Sequence, residues 1–259
     1  FRYLAAESFT DKIENRDLKY VNYQCGLYTR DPIFSNAVHA AIQMGYKLIA
    51  YDNTEKERDK VQAANIYKKV FEKDPDAKIL ILAGRSHIVE EKTADGWEPM
   101  GYWLKKMTGI DPFTIYAPVM NERLTPQEEH PVYKYITQNA GLHQVSILKD
   151  TLTGKFYGND RFFDAYVFFP RVQLANNRPN WLYSVMHRKP VSIPRKFLRK
   201  HELVLIQAFS KGQLFTDIPF DQVIVGGIKT KLALAPGVYS IRAVYEDETV
   251  SKLKKVKIK

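Results

Sequence analysis

The feature that most constrains this chain is an apolar run, Lys78-Ile79-Leu80-Ile81-Leu82-Ala83, followed at once by Gly84-Arg85-Ser86-His87. A run without polar alternation fits a central strand of a parallel sheet, covered on both faces. A glycine directly after it permits a turn that a side chain would block. That turn delivers Arg85 and His87 to the upper edge of the sheet, where open parallel sheets carry their sites.

The flanking pattern extends this reading. Residues 2–6 read as the end of a short buried strand, closed by Glu7, and residues 8–31 are polar and irregular. Asp31-Pro32 opens a helix, with Asp as N-cap and Pro at the first position. Its apolar residues Ile33, Phe34, Ala37, Val38, Ala41 and Ile42 keep helical spacing up to Gly45. Residues 47–51 are the next strand. Asn53-Thr54-Glu55 starts a long helix that runs to about Lys73, and Asp74-Pro75-Asp76 breaks it. A helix over 97–107, ended at Gly109, and a strand over 113–116 complete the alternation. The predicted fold class is α/β, a mostly parallel sheet with flanking helices.

Beyond residue 120 the pattern weakens to a helix at 131–140, a strand at 164–169 stopped by Pro170, and a loop at 176–180. From about 200 the texture becomes all-β. Short strands are expected at 203–206, 222–225, 231–234, 238–245 and 250–258, with a tight turn at Ala235-Pro236-Gly237. The expected domains are an αβ domain over 1–199 and a small β-sandwich module over 200–259.

Charge follows the same division. The net charge is +10. Residues 181–259 hold 15 Lys and Arg against 6 Asp and Glu, leaving residues 1–180 nearly neutral. A basic end can bind nucleic acid. Here Val256-Lys257-Ile258-Lys259 alternates apolar and Lys, which fits an edge strand with a Lys-guarded solvent face. Aromatics do not interleave with these lysines, so no nucleic-acid partner is expected. No run approaches the length of a membrane-spanning helix. Cys25 is the single cysteine, which removes any intrachain disulfide.

The chemistry-bearing candidates gather at the expected strand ends. His87 can ligate a metal or act as acid or base, or it can simply bond the loop backbone. Arg85 is a permanent cation suited to an anionic group. Glu7 is a loop-satisfying carboxylate, or a ligand or base. Arg58 and Asp59 open the long helix just beyond Asp52. Asp59 is favourable at a helix N-terminus without any function, while Arg58 points at the sheet edge if the helix follows its strand directly. Asp52 and Asn65 are lesser candidates. Tyr116, Trp97 and Trp103 are candidates to line a groove. The other histidines show no metal-ligand spacing, and phosphate-loop, dinucleotide and Gly-x-Ser-x-Gly patterns are absent.

The series Leu4-Ala5-Ala6-Glu7, then Arg58-Asp59 with Ala63, then an apolar strand leading into Gly84-x-x-His87, resembles the superfamily of Tiki/TraB, ChaN-like and erythromycin-esterase-like proteins. The resemblance covers residues 1–117 and implies that Glu7, Arg58 and His87 converge on one site. Members include metal-dependent peptidases, an esterase and haem binders, so the resemblance does not fix a reaction; the first reading is a hydrolase, metal-assisted or acid/base, of unspecified substrate. Glu7 and His87 would ligate a metal or act as base and acid, and Arg58 would hold an anionic group or a developing oxyanion. Arg85, Asp52 and Tyr116 would contact substrate, and a divalent metal or haem is the candidate cofactor.

Two other readings stand beside this one. The first is a haem- or glycan-binding surface lipoprotein without turnover. The second is an accessory subunit that docks a protein partner through residues 200–259. The expected ligand is a small molecule, peptide or glycan. The family's first His-bearing motif is not in this sequence, and the opening Phe1-Arg2-Tyr3 reads as the inside of an element. Either an upstream segment supplies that motif, or the site is incomplete and inactive; a cell-envelope or secreted location, with a lipid anchor upstream, is expected.

Overall fold

The structure, a computed structural model, describes residues 1–84, 86–199, 202–226 and 230–259. Helices and strands are mixed along the chain, and the sheets are small. The chain divides into two compact units, Phe1–Glu14 with Tyr46–Arg171, and Asn15–Gly45 with Val172–Lys259. This division interleaves the chain, where the sequence suggests a single boundary at residue 200.

In the first unit, β1 (Tyr3–Ala6), β2 (Lys47–Ala50) and β3 (Ile79–Leu82) form a parallel sheet in the order β2-β1-β3. All four residues of β1 are buried. The strand expected to be central, β3, lies at the edge of this sheet, and Leu80 and Leu82 are 48% and 41% exposed. Its unbroken apolar character therefore reflects one covered face, not two. That face, with Tyr3, Ala5, Ile49 and Ile81, packs on α2 (Arg58–Ile66) and α3 (Met100–Thr108).

The α2 helix begins at Arg58, later than expected. Asn53 folds its side chain back to accept from the Glu55 amide at 2.8 Å, an Asx turn that competes with helix. Beyond Ile66 the helix continues as a π turn, Tyr67–Phe71. The α3 helix ends at Gly109, whose φ of +70° suits glycine.

The strand expected at 113–116 is only Ile115–Tyr116 (β4). It does not join the parallel sheet. It pairs in parallel with β6 (Ala165–Phe168), on which β5 (Ser146–Ile147) lies antiparallel. Among the described residues parallel pairing is found in β2-β1-β3 and in β4-β6, and the parallel sheet holds three strands. A helix, Pro131–Asn139, packs Tyr133 against Met120 and Phe168.

In the second unit, α1 (Pro32–Gln43) is capped by Asp31, whose carboxylate accepts from the amides of Ile33 and Phe34 at 2.9 Å each. Asn176 and Asn177, both with positive φ, turn a tight hairpin between β7 (Leu174–Ala175) and β8 (Arg178–Pro179). A four-stranded antiparallel sheet follows, with β10 (Val204–Ser210), β11 (Asp221–Val225), β13 (Gly237–Val244) and β14 (Lys254–Ile258) in the order β11-β10-β13-β14. A two-stranded sheet of β9 (Lys189–Val191) and β12 (Leu232–Leu234) shares its core, built around Ile206, Val223, Leu234 and Ile241. Because β9 precedes residue 200, this β structure starts earlier than the sequence suggests. In β14, Val256 and Ile258 pack on the core while the lysines stay exposed. Among the described residues no helix is long and apolar enough to cross a membrane.

Candidate functional site

Strand register builds the site. Ala6 pairs with Ala50 and with Leu82, so the three strands finish level. Glu7, Tyr51-Asp52 and Gly84 therefore leave the sheet at one edge, the carboxyl edge. Glu7 continues the pairing by one bond, its amide donating to Leu82 O at 2.9 Å. Buried Tyr51 also donates its hydroxyl to Leu82 O at 2.9 Å, and burial pushes that phenol far above its ordinary range.

Glu7, Arg58 and His87 are brought together. The Glu7 Oε1 accepts from Arg58 Nη2 at 2.7 Å, and its Oε2 accepts from the Gly84 amide at 2.6 Å. His87 Nε2 stands 3.7 Å from Glu7 Oε1. Gly84 is favoured by this crowding rather than by its backbone angle. A Cβ there would lie 3.1 Å from Glu7 Oε2 and 3.2 Å from His87 Cδ2.

Asp52 joins through Arg58, which binds it with Nε and Nη2 at 2.8 Å each, while buried Gln62 donates to the same carboxylate at 2.8 Å. Burial works against the Asp52 charge, but the Arg58 and Gln62 hydrogen bonds outweigh it and hold the carboxyl below its usual range. The Asp52 bond in turn raises Arg58, so the guanidinium stays charged. Arg58 Nε and Nη2 are thus occupied within the protein, and Arg58 acts first as a clamp on two carboxylates.

Sequence reasoning passed over one residue of this group. Asp59 reads in the sequence as a helix-favouring charge, but its Oδ1 lies 2.6 Å from His87 Nδ1. The same oxygen accepts from the Met100 amide at 2.9 Å, at the start of α3. The next two amides of α3 are satisfied by the His87 segment: Gly101 N donates to His87 O at 2.8 Å and Tyr102 N to Val89 O at 3.0 Å. Gly101 allows this approach, because a Cβ would come within 2.7 Å of the Ile88 and Val89 carbonyls. The one sequence signal for Asp59 was its place beside Arg58 in the Arg-Asp motif.

The remaining candidates fall elsewhere. Tyr116 belongs to the β4-β6-β5 sheet, its ring stacked on Phe163 at 4.3 Å. Trp103 is flanked by Lys60 and Lys106. Trp97 does reach the site, edge-on to the His87 ring with centroids 6.0 Å apart. Asn65 supports Tyr51 from behind, donating to its carbonyl at 3.0 Å. Arg85 lies outside the described residues.

The assembled group is three carboxylates, one guanidinium and one imidazole. It can hold and move a proton at His87 beside a fixed negative charge. As a metal centre it is short of ligands. Among the described residues no group of three His, Cys, Asp or Glu side chains is placed to hold an ion, and Glu7 Oε1 already faces the Arg58 cation. Comparison with protein-family models, curated proteins and solved structures finds no match for the chain.

Proposed function

We propose that the edge formed by Glu7, Arg58 and His87 is a hydrolytic site working by acid–base chemistry. The observation that carries this reading is the convergence itself. Three groups distant in sequence meet within hydrogen-bond or near-contact distance at the carboxyl ends of three parallel strands. Crowded charges at the carboxyl edge of a parallel sheet are a physical pointer to a functional site. His87 is the proton carrier, Glu7 the fixed charge beside it, and Arg58 the clamp that keeps Glu7 in place. The metal-assisted form of the mechanism needs at least one ligand beyond the described residues.

The likeness to Tiki/TraB, ChaN-like and erythromycin-esterase-like proteins belongs to the same proposal. With it go a larger, mostly parallel αβ core around β2-β1-β3, a β-sandwich module over 200–259 that docks a partner, and a cell-envelope or secreted setting.

The test is a panel of chromogenic esters, peptides and glycosides. His87→Ala is expected to lower the rate on the responding substrate by about 100-fold or more. If His87→Ala matches the wild type on every hydrolysed substrate, the reading is wrong. Haem or glycan binding by a protein that hydrolyses nothing on the panel would replace it with ligand binding.

A further inference from the structure

We infer that Asp59 is the positioning residue of this site: it holds His87 with the ring proton on Nδ1 and presents bare Nε2 as the acid–base atom beside Glu7. The chemical role of Nε2 rests on the hydrolytic reading above; the positioning does not.

Three observations carry the inference. The Asp59 Oδ1 to His87 Nδ1 distance is 2.6 Å, with both side chains largely buried, at 13% and 18% exposure. An ionised carboxylate can only accept, so the nitrogen facing it must donate. That choice leaves Nε2 without a proton in the neutral ring.

Second, Asp59 is itself fixed. It sits in the first turn of α2, and its Oδ1 also takes the Met100 amide at the head of α3. The backbone of His87 is pinned independently, its N–H on Gly84 O at 3.0 Å and its carbonyl on Gly101 N at 2.8 Å. The ring then has little freedom, with Trp97 set edge-on beside it.

Third, Glu7 is poorly placed to be the base. Both of its oxygens already accept short hydrogen bonds, from Arg58 and from the Gly84 amide. At 3.7 Å from Nε2 it acts by charge, favouring the imidazolium that forms during the reaction. In the hydrolytic step Nε2 takes one proton from the attacking water as the water oxygen bonds the electrophilic centre. It returns that proton to the leaving group as the scissile bond breaks. Asp59 accepts no proton, and its negative charge stabilises the imidazolium through Nδ1–H.

A plain capping role for Asp59 predicts something different. Capping α3 needs only an acceptor for the Met100 amide, and asparagine caps as well as aspartate does. Because one oxygen, Oδ1, serves both Met100 and His87 Nδ1, Asp59→Asn keeps that acceptor and removes only the charge. Asp59→Ala removes the acceptor, and the ring is then free to take the Nε2–H form that an unheld imidazole favours. A plain cap would leave the tautomer unchanged in Asp59→Ala.

The experiment is imidazole nitrogen NMR at a pH where histidine is neutral, with the His87 signals assigned by their loss in His87→Ala. The wild type is expected to show mainly the Nδ1–H tautomer, and Asp59→Ala mainly the Nε2–H tautomer. A wild-type ring that is mainly Nε2–H, or an Asp59→Ala ring that keeps its proton on Nδ1, overturns the inference. Should Asp59→Ala fail to fold, the wild-type spectrum decides alone. The two readings fail separately. An Nδ1–H ring in a protein whose hydrolysis is unmoved by His87→Ala removes the hydrolase and leaves the positioning intact.

Discussion

Arg178 and Arg58 each grip a carboxylate with two nitrogens, at similar distances and in very different surroundings. In the second unit, Arg178 Nη1 and Nη2 meet Asp221 at 3.0 and 2.7 Å, with the side chains 13% and 1% exposed. The spare capacity is used up locally: Asp221 Oδ2 also accepts the Ala233 amide at 2.7 Å, and Arg178 also reaches Lys231 O. The pair joins β8, β11 and β12 as a closed tie. In the first unit, Arg58 is 37% exposed and divided between Asp52 and Glu7, with Asp59 and His87 adjoining. Pair geometry alone does not tell scaffold from site. What separates the two is the balance of charge and access. One pair is matched and sealed, and the other is over-supplied with carboxylates and open to solvent.

The contrast can be broken most directly in the sealed pair. Asp221→Ala leaves the Arg178 charge buried and the Ala233 amide unpaired, and it should cost about 3–5 kcal/mol in denaturant unfolding. Arg58→Met should cost about 1 kcal/mol by the same measurement, because the carboxylates it releases can still be solvated. Equal losses in the two variants would erase the distinction between the two pairs.

Glu90 sharpens the comparison, because it is buried without a bidentate arginine. It accepts from Thr114 Oγ1 at 2.6 Å and has Lys105 Nζ only at 3.4 Å, with Asp111 and Asp164 nearby. Burial, more than these neighbours, pushes its carboxyl up from 4.5 to about 6. The folded state therefore holds this proton more tightly than the unfolded chain. That stabilisation is complete below about pH 4.5 and is lost as pH rises through about 6. Relative to the permanently neutral Glu90→Gln, the wild type should lose on the order of 1 kcal/mol across that window. A pH-independent difference between the two melting curves would show that Glu90 titrates normally.

Much of the local structure was legible in the residues. Asp31-Pro32 announces the start of α1, Gly109 the end of α3, and the Val256-Lys257-Ile258 alternation the one-sided strand β14. Glu7 and the 84–87 segment also read as following strands, and β1 and β3 end just before them. Less legible was anything that depended on a partner far along the chain. The 78–83 run could not reveal that its strand is an edge, since an apolar strand reads alike in either place. Asn53 looked like a helix start, and the rival Asx turn was not visible until the backbone was placed. Tyr116 belonged to a strand, but nothing nearby in sequence showed that the strand pairs with Ala165 and Tyr166.

The sequence by itself offered the candidate residues and many of the short helices, strands and turns, because capping, period and turn preference act between neighbours along the chain. The tertiary structure alone decided that β1 is central, that Ala6, Ala50 and Leu82 end level, and that Asp59 meets His87 across 28 positions. Those outcomes rest on parallel register and on the docking of α3 against the His87 segment. Both depend on long-range packing, which local preferences along the chain do not encode.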